Sequence, residues 1–498
     1  MVYMTDKNTE ASVSDQTEEI QSEIHHPPVW LFWKARRYTV TILVFFGLFC
    51  DYALRVNMSV AIVAMTQYEN VTLENGTTVL QREFDWDTAI QGHILSTFYY
   101  GYLLSSLLGG YASTLFGGKP VFAIGIGGIS ILNLLTPLLS RVSVYALLAV
   151  RVLAGIFEGI LFPCANEVFA KWAPSSEKGL LVTIGFSGCY VGTLACLPIS
   201  SMLAAYLGWE SVFYAFGLFG CLWTILWLTL TSNSPAQDSS ISQAELLYIT
   251  QNGEENSTKE KFLIPWWCIL TSVPVWALTI SVACKAWGFF ALLSHLPQFV
   301  KYCLSYDLKD AGFVSAMPYL AMSVLIQLTG RFSDYIEAKR VITTTNVRKI
   351  LVVGGLLVQS IFMVLVVHWI TIFGSNFCLI MAVGLGGLPM AVFTVNPLDL
   401  SQKYGSIIGG LAHTFGTISG ILAPTLTGYI VTEETNVDQW RYVFYIASSI
   451  YLLGAISFGI FGSGEQQPWN NFNVLPADKE KSEVQCYENK EFESEEAP

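Results

Sequence analysis

An arginine and a glutamate stand seven residues apart inside one apolar run, Arg151-Val-Leu-Ala-Gly-Ile-Phe-Glu158. Seven residues is close to two helical turns, so a helix through this run projects both side chains from one face. The run extends from near Val144 to about Cys164, long enough to cross a bilayer. Each charge would cost roughly 2.5 kcal/mol or more facing lipid, so both are expected to meet a polar cavity or a partner. Two further cations fall inside other apolar runs, Arg55 in Asp51-Tyr-Ala-Leu-Arg-Val-Asn57 and Lys285 in Val282-Ala-Cys-Lys-Ala-Trp287. Arginine offers a planar fork for a carboxylate or phosphate, and lysine a point charge. An anion that occupies Arg151 would free Glu158 to take a proton, so the spacing suits an anion site coupled to a proton site. The structural alternatives are an Arg151–Glu158 pair that only fastens its helix, an Asp51–Arg55 pair one turn apart, and snorkelling of Arg55 or Lys285 to an interface.

The elements that must position these charges are transmembrane helices. Hydrophobic residues make up 53% of the 498-residue chain and charged ones 13%, about half of soluble usage; the mean hydropathy is +0.49. About twelve stretches are long enough to span, near 38–66, 89–112, 119–139, 144–166, 179–206, 211–231, 267–300, 311–331, 349–372, 375–396, 406–431 and 442–463. The expected class is an all-α membrane protein of two six-helix bundles, 38–231 and 267–463. A linker, 232–266, joins them, and polar tails 1–37 and 464–498 flank them. The acidic opening stretch, Met1 to His26, lacks the pattern of a cleavable signal.

Positive charge sets the orientation. Lys34, Arg36 and Arg37, then Lys119, Lys171 and Lys178, then Lys339, Arg340, Arg348 and Lys349 fall in alternate short loops, so both termini are predicted cytosolic. The loop after the first span carries Glu69, Glu74, Glu83, Asp85 and Asp87 on the opposite side. Its sequons, Asn70-Val-Thr72 and Asn75-Gly-Thr77, are predicted glycan sites. Asn256-Ser-Thr258 falls on the cytosolic side and is expected to stay bare, and Asn57-Met-Ser59 lies within a span. The net charge of −12 gathers in the acidic tails, Glu10 to Glu23 and Asp478 to Glu496, which are expected to be disordered. No basic patch exists to hold nucleic acid. The ten cysteines read as small buried hydrophobes rather than a disulfide frame or metal site.

Six spans plus six is the layout of transporters built from two related bundles, with the site between them near the midplane. Gly330-Arg-Phe-Ser-Asp334 followed by Arg348-Lys349 resembles the cytosolic latch of the major facilitator superfamily, with Asp334 poised to hold the basic pair in one conformation. The matching place in the first half, Gly110 to Lys119, carries Thr114 where the acid would stand. Tyr99, Tyr100 and Asn166 are weaker substrate-contact candidates, and His93 is a candidate pH sensor or an ordinary interface residue. Gly405, Gly409, Gly410, Gly416 and Gly420 would ease packing and bending in the eleventh span. Enzymatic and ATP-driven readings find no motif: Gly117-Gly118-Lys119-Pro120 ends in proline where a phosphate loop needs serine or threonine, and neither His-Glu-x-x-His nor Gly-x-Ser-x-Gly occurs. No cofactor is implied, and transport would run on gradients.

A family resemblance follows from many short stretches. They include Tyr52-Ala-Leu-Arg55-Val-Asn57-Met-Ser, Phe84-Asp-Trp-Asp87 with Gln91-Gly92, Tyr100-Gly101-Tyr102, Lys171-Trp-Ala-Pro174, Gly208-Trp209, Met317-Pro-Tyr-Leu320, Val347-Arg-Lys349, Asn396 with Leu398-Asp399, and Gly464-Glu-Gln-Gln-Pro-Trp469. From about Arg37 to Trp469 the chain resembles the sialin, vesicular glutamate transporter and sodium/phosphate transporter group of organic anion carriers. The resemblance implies that Arg55, Arg151 and Glu158 bind the anion or couple it to protons. It implies an auxiliary cation at Lys285, where glutamate carriers hold an arginine and sialin does not. Leu95 resembles sialin, whereas Asn166 and Pro397 replace histidines common in the family, and the acidic dileucine address of sialin is missing. The expectation is a monomeric proton- or potential-driven carrier of small carboxylates. Sodium-coupled phosphate or organic anion entry is the nearest alternative, and an anion channel or a non-transporting sensor represents another class.

Overall fold

The computed structural model describes residues 35–72, 78–174, 177–251, 264–339 and 342–471. Residues 1–34 and 472–498, with most of both acidic tails, the sequons at Asn75 and Asn256, and Arg340 lie outside them. The long helices follow in order: α1 (Arg36–Thr66), α2 (Thr88–Phe116), α3 (Gly118–Val142), α4 (Val144–Gly159), α5 (Leu161–Trp172), α6 (Lys178–Leu207) and α7 (Trp209–Leu230). After the short helices α8 (Gln243–Gln251) and α9 (Trp266–Thr271) come α10 (Val273–Tyr302), α11 (Leu308–Ala338), α12 (Thr344–His368), α13 (Ile372–Gly384), α14 (Gly387–Leu400), α15 (Gly405–Ile430) and α16 (Val437–Phe461). Among the described residues, 11 helical spans are long and apolar enough to cross a membrane, with α4–α5 and α13–α14 each counted as one. The 29-residue α2 packs on α4 in the first half and on α15 in the second.

The breaks inside two spans have local causes. The fourth expected span is two helices meeting at Ile160, where Gly159 ends α4 and Pro163 sits in the first turn of α5, the one place a helix tolerates a missing N–H. The tenth span breaks around Gly386-Gly387, with Pro389 again in the first turn of the continuing helix.

Small residues let helices approach closely. A Cβ on Gly155 would stand 2.0 Å from the Phe98 carbonyl oxygen, and one on Gly101 2.0 Å from that of Val152, so α2 and α4 touch backbone to backbone. Gly155→Leu is therefore expected to abolish the monodisperse folded protein on size exclusion. Gly354→Ala, where a Cβ meets nothing within 4 Å, is expected to leave it intact or to stabilise it by about 0.5–1 kcal/mol.

The expected linker holds a helix that the sequence reading missed. Glu245 N bonds Ser242 Oγ at 3.2 Å, and Ser242-Gln-Ala-Glu245 is a helix-start signature. Glu245 in turn receives the backbone N–H groups of Arg36 and Arg37, each at 3.0 Å, while Arg36 Nη2 meets Asp238 Oδ2 at 2.7 Å. The segment thus caps the start of α1.

Two ends of the molecule can be distinguished. One carries an antiparallel hairpin, β1 (Tyr68–Thr72) with β2 (Thr78–Arg82), in which Asn70 lies opposite Leu80. The other carries Arg36, Arg37, Lys119, Lys171, Arg348 and Lys349. Gly117 begins this basic end with φ +88 against the Asn233 side chain, a conformation and a closeness that only glycine allows. The cysteines follow expectation with one correction. Cys50, Cys164, Cys189, Cys196, Cys221, Cys284, Cys303 and Cys378 are free thiols, but Cys268 on α9 is disulfide-bonded.

Candidate functional site

The charged residues of the first half form one buried cluster around α1, α2 and α4. The Arg55 guanidinium binds the Glu158 carboxylate, and their side chains are 6% and 0% exposed. Its centre lies 4.6 Å from the Tyr52 ring, 5.0 Å from Tyr102 and 5.2 Å from Phe98, an aromatic collar that favours a desolvated cation. Both structural pairings considered from sequence are corrected here. Glu158 on α4 pairs with Arg55 on α1 rather than with Arg151 along its own helix. Asp51 makes no hydrogen bond to Arg55: neither of its oxygens is hydrogen-bonded among the described residues.

Arg151 is buried and lies over the Phe98 ring at 5.1 Å, and its Nε donates to the Ile94 carbonyl at 3.4 Å. Its other two guanidinium nitrogens make no hydrogen bond among the described residues. Instead it lines a small cavity with Asn57, Asn133, Thr136 and Phe213, where Asn57 Nδ2 donates to Asn133 Oδ1 at 3.3 Å. Tyr99, within electrostatic reach of Arg151, packs on Gly420 and has its ring 4.8 Å from Phe290, so it borders the second half.

Lys285 is the cation of the second half. It is 6% exposed, its Nζ lies 4.4 Å from the Phe289 ring centre and 3.9 Å from Met390 Sδ, and no carboxylate pairs with it among the described residues. Snorkelling is thereby excluded. His413 on α15 is accessible and within electrostatic reach of the ammonium. Tyr319 on α11 meets the Phe289 ring edge-on at 5.9 Å, and its buried hydroxyl has no hydrogen-bond partner among the described residues. The sequence reading did not give roles to Tyr52, Phe98, Tyr102, Tyr319 or His413. Tyr52, Tyr102 and Tyr319 lay in motifs that carried the family resemblance, whereas nothing in the sequence singled out Phe98 or His413.

Two expected contact residues stand elsewhere. Tyr100 is 51% exposed, on the outer stripe of α2 with Leu104, Tyr111 and Leu115, because one residue of helix turns it about 100° from Tyr99. Asn166 is exposed on α5, one turn beyond Phe162, whose ring meets Tyr52 at 6.4 Å.

The hydrogen bonds seen between the halves cluster at the hairpin end. His93 Nε2 meets Tyr429 Oη at 2.9 Å, Thr425 Oγ1 donates to Ser96 Oγ at 2.8 Å, and Gln91 Nε2 donates to Glu434 at 3.0 Å. Gln298 donates to Gln91, and Lys301 to Gln67. His93 is thus an interface residue, bonded across the halves. At the basic end the named bonds of Arg348 and Lys349 stay within the second half. Arg348 is held by Asp399 at 2.7 Å, Ser333 at 2.6 Å and Glu337, while Lys349 Nζ reaches the Ile460 carbonyl at 3.4 Å. The Asp334 side chain lies outside the described ones. Gly330, in the latch-like stretch, has nothing within 4 Å of its Cβ position among the described residues. The named hydrogen bonds between the halves thus lie at the hairpin end.

Comparison with known proteins identifies this helical fold. Residues 43–418 match the Major Facilitator Superfamily. Vesicular glutamate transporter 1 of Xenopus laevis is 34% identical over 471 residues, covering 93% of this chain and 82% of its own. Vesicular glutamate transporter 2 of Homo sapiens is 34% identical over 461 residues, 91% and 78% of the two chains. Among solved structures, an inward-facing bacterial homolog of the human lysosomal transporter Spinster superposes with a TM-score of 0.67 at 14% identity, covering 89% of this chain and 99% of that one. A D-xylose–proton symporter gives 0.64 at 16% identity, with 86% and 99% covered. The protein is a multi-pass secondary transporter. It belongs to the Major Facilitator Superfamily, in the group that contains the vesicular glutamate transporters.

Proposed function

We propose that the protein carries small organic anions, acidic amino acids or sialic-acid-like carboxylates, by alternating access coupled to protons. The observation that carries this reading is the pair of buried cations without a carboxylate partner, Arg151 in the first half and Lys285 in the second. Burying an unpaired charge is costly, and a bound anion that lies between them removes the cost. Two cations suit a substrate with two acidic groups, as the names of the curated relatives suggest. Arg55, held by Glu158, is the first anion ligand released when Glu158 takes a proton. Tyr99 separates Arg151 from the second half and is the ring that must yield for substrate to bridge the two. The basic end is read as cytosolic, and because the named bonds between the halves lie at the opposite end, the conformation is read as inward-facing.

Uptake by purified protein in liposomes tests the reading. Labelled glutamate, aspartate, sialic acid and phosphate are each offered under a proton gradient, a membrane potential or a sodium gradient. Proton-driven accumulation of a carboxylate that disappears in Glu158→Gln is the expected result. Accumulation driven by sodium alone would replace it with sodium-coupled entry, and currents far above carrier turnover would replace it with a channel.

The orientation has its own test. Asn70 stands on β1, at the hairpin end. Replacing Asn70 and Asn75 by glutamine is expected to remove the whole glycosidase-sensitive mobility shift in cells. A shift that persists in the double variant would overturn the topology.

A further inference from the structure

Asp51 stands one turn before Arg55 on α1 and is 0% exposed. Neither of its carboxyl oxygens is hydrogen-bonded among the described residues, and the same is true of Glu158 Oε2. The two carboxyls lie within hydrogen-bonding reach of one another. Ionised carboxylates are acceptors only, so two that face each other without a donor repel; one proton between them turns that contact into an O–H···O bond. The other titratable or charged groups facing Asp51 are Cys50, Tyr52 and Arg55 on its own helix, Tyr102 on α2 and Cys189 on α6. Only Arg55 among them brings a positive charge, and Glu158 already occupies it.

We infer that Asp51 and Glu158 form one proton-sharing carboxyl pair, which makes Asp51 a second proton-binding residue of the transport cycle. The inference rests on the reading of Glu158 as the proton site and extends it. Its consequence is a counting rule. Arg55, Arg151, Asp51 and Glu158 sum to zero when all are ionised. A proton on the pair makes the cluster positive, and a singly charged anion at Arg151 makes it negative. Only the empty cluster and the cluster holding both are neutral, and a neutral cluster is the least costly to seal from water. The proton enters from water on one side, bridges an Asp51 oxygen and Glu158 Oε2, and returns to water on the other side as the anion leaves. Removing Asp51 breaks this rule: with Arg55, Arg151 and Glu158 alone, an anion without a proton gives the neutral state.

The test measures protons taken up per anion by full-length protein in liposomes that enclose a pH-sensitive dye, with labelled glutamate and sialic acid as probes. The ratio is expected to fall to zero in Asp51→Asn and to be restored in Asp51→Glu. A wild-type ratio in Asp51→Asn, with the ratio lost in Glu158→Gln, overturns this inference alone. A wild-type ratio in Glu158→Gln overturns the reading beneath it. Infrared pH-difference spectra provide a readout independent of both substrate and the asparagine variant. The protonated-carboxyl band is expected to shift in Asp51→Glu as well as to vanish in Glu158→Gln; a band unmoved in Asp51→Glu overturns the sharing.

Discussion

Arg151→Ala is expected to abolish carboxylate uptake while leaving a folded, monodisperse protein. The two halves of this expectation come from the same geometry. Among the described residues Arg151 has no carboxylate partner, and its one hydrogen bond is the long contact to the Ile94 carbonyl. Its removal therefore breaks no direct ion pair, and Glu158 keeps Arg55 as its partner. The anion, by contrast, loses a charge-assisted fork that no neighbour replaces, since Asn57 and Asn133 in the same cavity are neutral amides. Truncating one partner of a buried hydrogen-bonded charge pair costs roughly 2–5 kcal/mol, which corresponds to a loss of about thirty-fold to a few thousand-fold in affinity. Uptake in liposomes and thermal unfolding in detergent, measured on the same preparation, separate the two effects. Arg151→Lys is expected to fall between the parent and the alanine variant, because it keeps the charge and loses the planar fork. Uptake at the parental rate in Arg151→Ala would remove this residue from the anion site.

The positions of the spans were legible because the physics that sets them is local. Arg36 to Thr66 or Thr344 to His368 must supply an apolar run of about 20 residues to cross a bilayer, and nothing distant alters that requirement. The cations were legible for the same reason, since Arg55, Arg151 and Lys285 are costly wherever their helices lie in the membrane. Their pairing was not legible. Asp51 and Arg55 lie one turn apart on a single helix, and Arg151 and Glu158 two turns apart on another, which makes both intrahelical pairs plausible from spacing. The chosen pair instead depends on how α1 and α4 are each placed by their neighbours, through contacts far apart in sequence such as Gly188 of α6 on the Phe45 backbone and Gly155 on Phe98 of α2. Tyr100 failed on rotation within one helix. The stripe of α2 that faces α15 is set by Gly92 and Tyr99, which meet Pro424 and Gly420, and Tyr100 follows on the outside. The helix at Gln243–Gln251 was missed because composition outweighed its capping signal, although Ser242 and Glu245 stood at the right spacing.

The Arg55–Glu158 pair should show a large stability effect, and a double-mutant cycle should reveal it as a coupled one. Arg55→Ala leaves Glu158 buried with no cation in contact and with Asp51 beside it. Breaking a buried pair from one side in this way costs about 3–5 kcal/mol. Glu158→Gln is expected to cost less, because the arginine keeps Tyr52, Phe98 and Tyr102 around its guanidinium and the amide oxygen still accepts a hydrogen bond. With both changes made, no unmatched charge remains at Glu158, so the double variant should be less destabilised than the sum of the singles, by about 0.5–3 kcal/mol. Apparent unfolding temperatures of the four proteins at one protein and detergent concentration give the comparison. Strict additivity would mean that the two groups do not stabilise one another, and the Glu158 carboxyl would then have to be neutral in this conformation. Proton-driven uptake should be lost in all three variants, whatever their stability. A double variant that folds well but does not accumulate anion against its gradient would separate the pair's part in coupling from its part in stability.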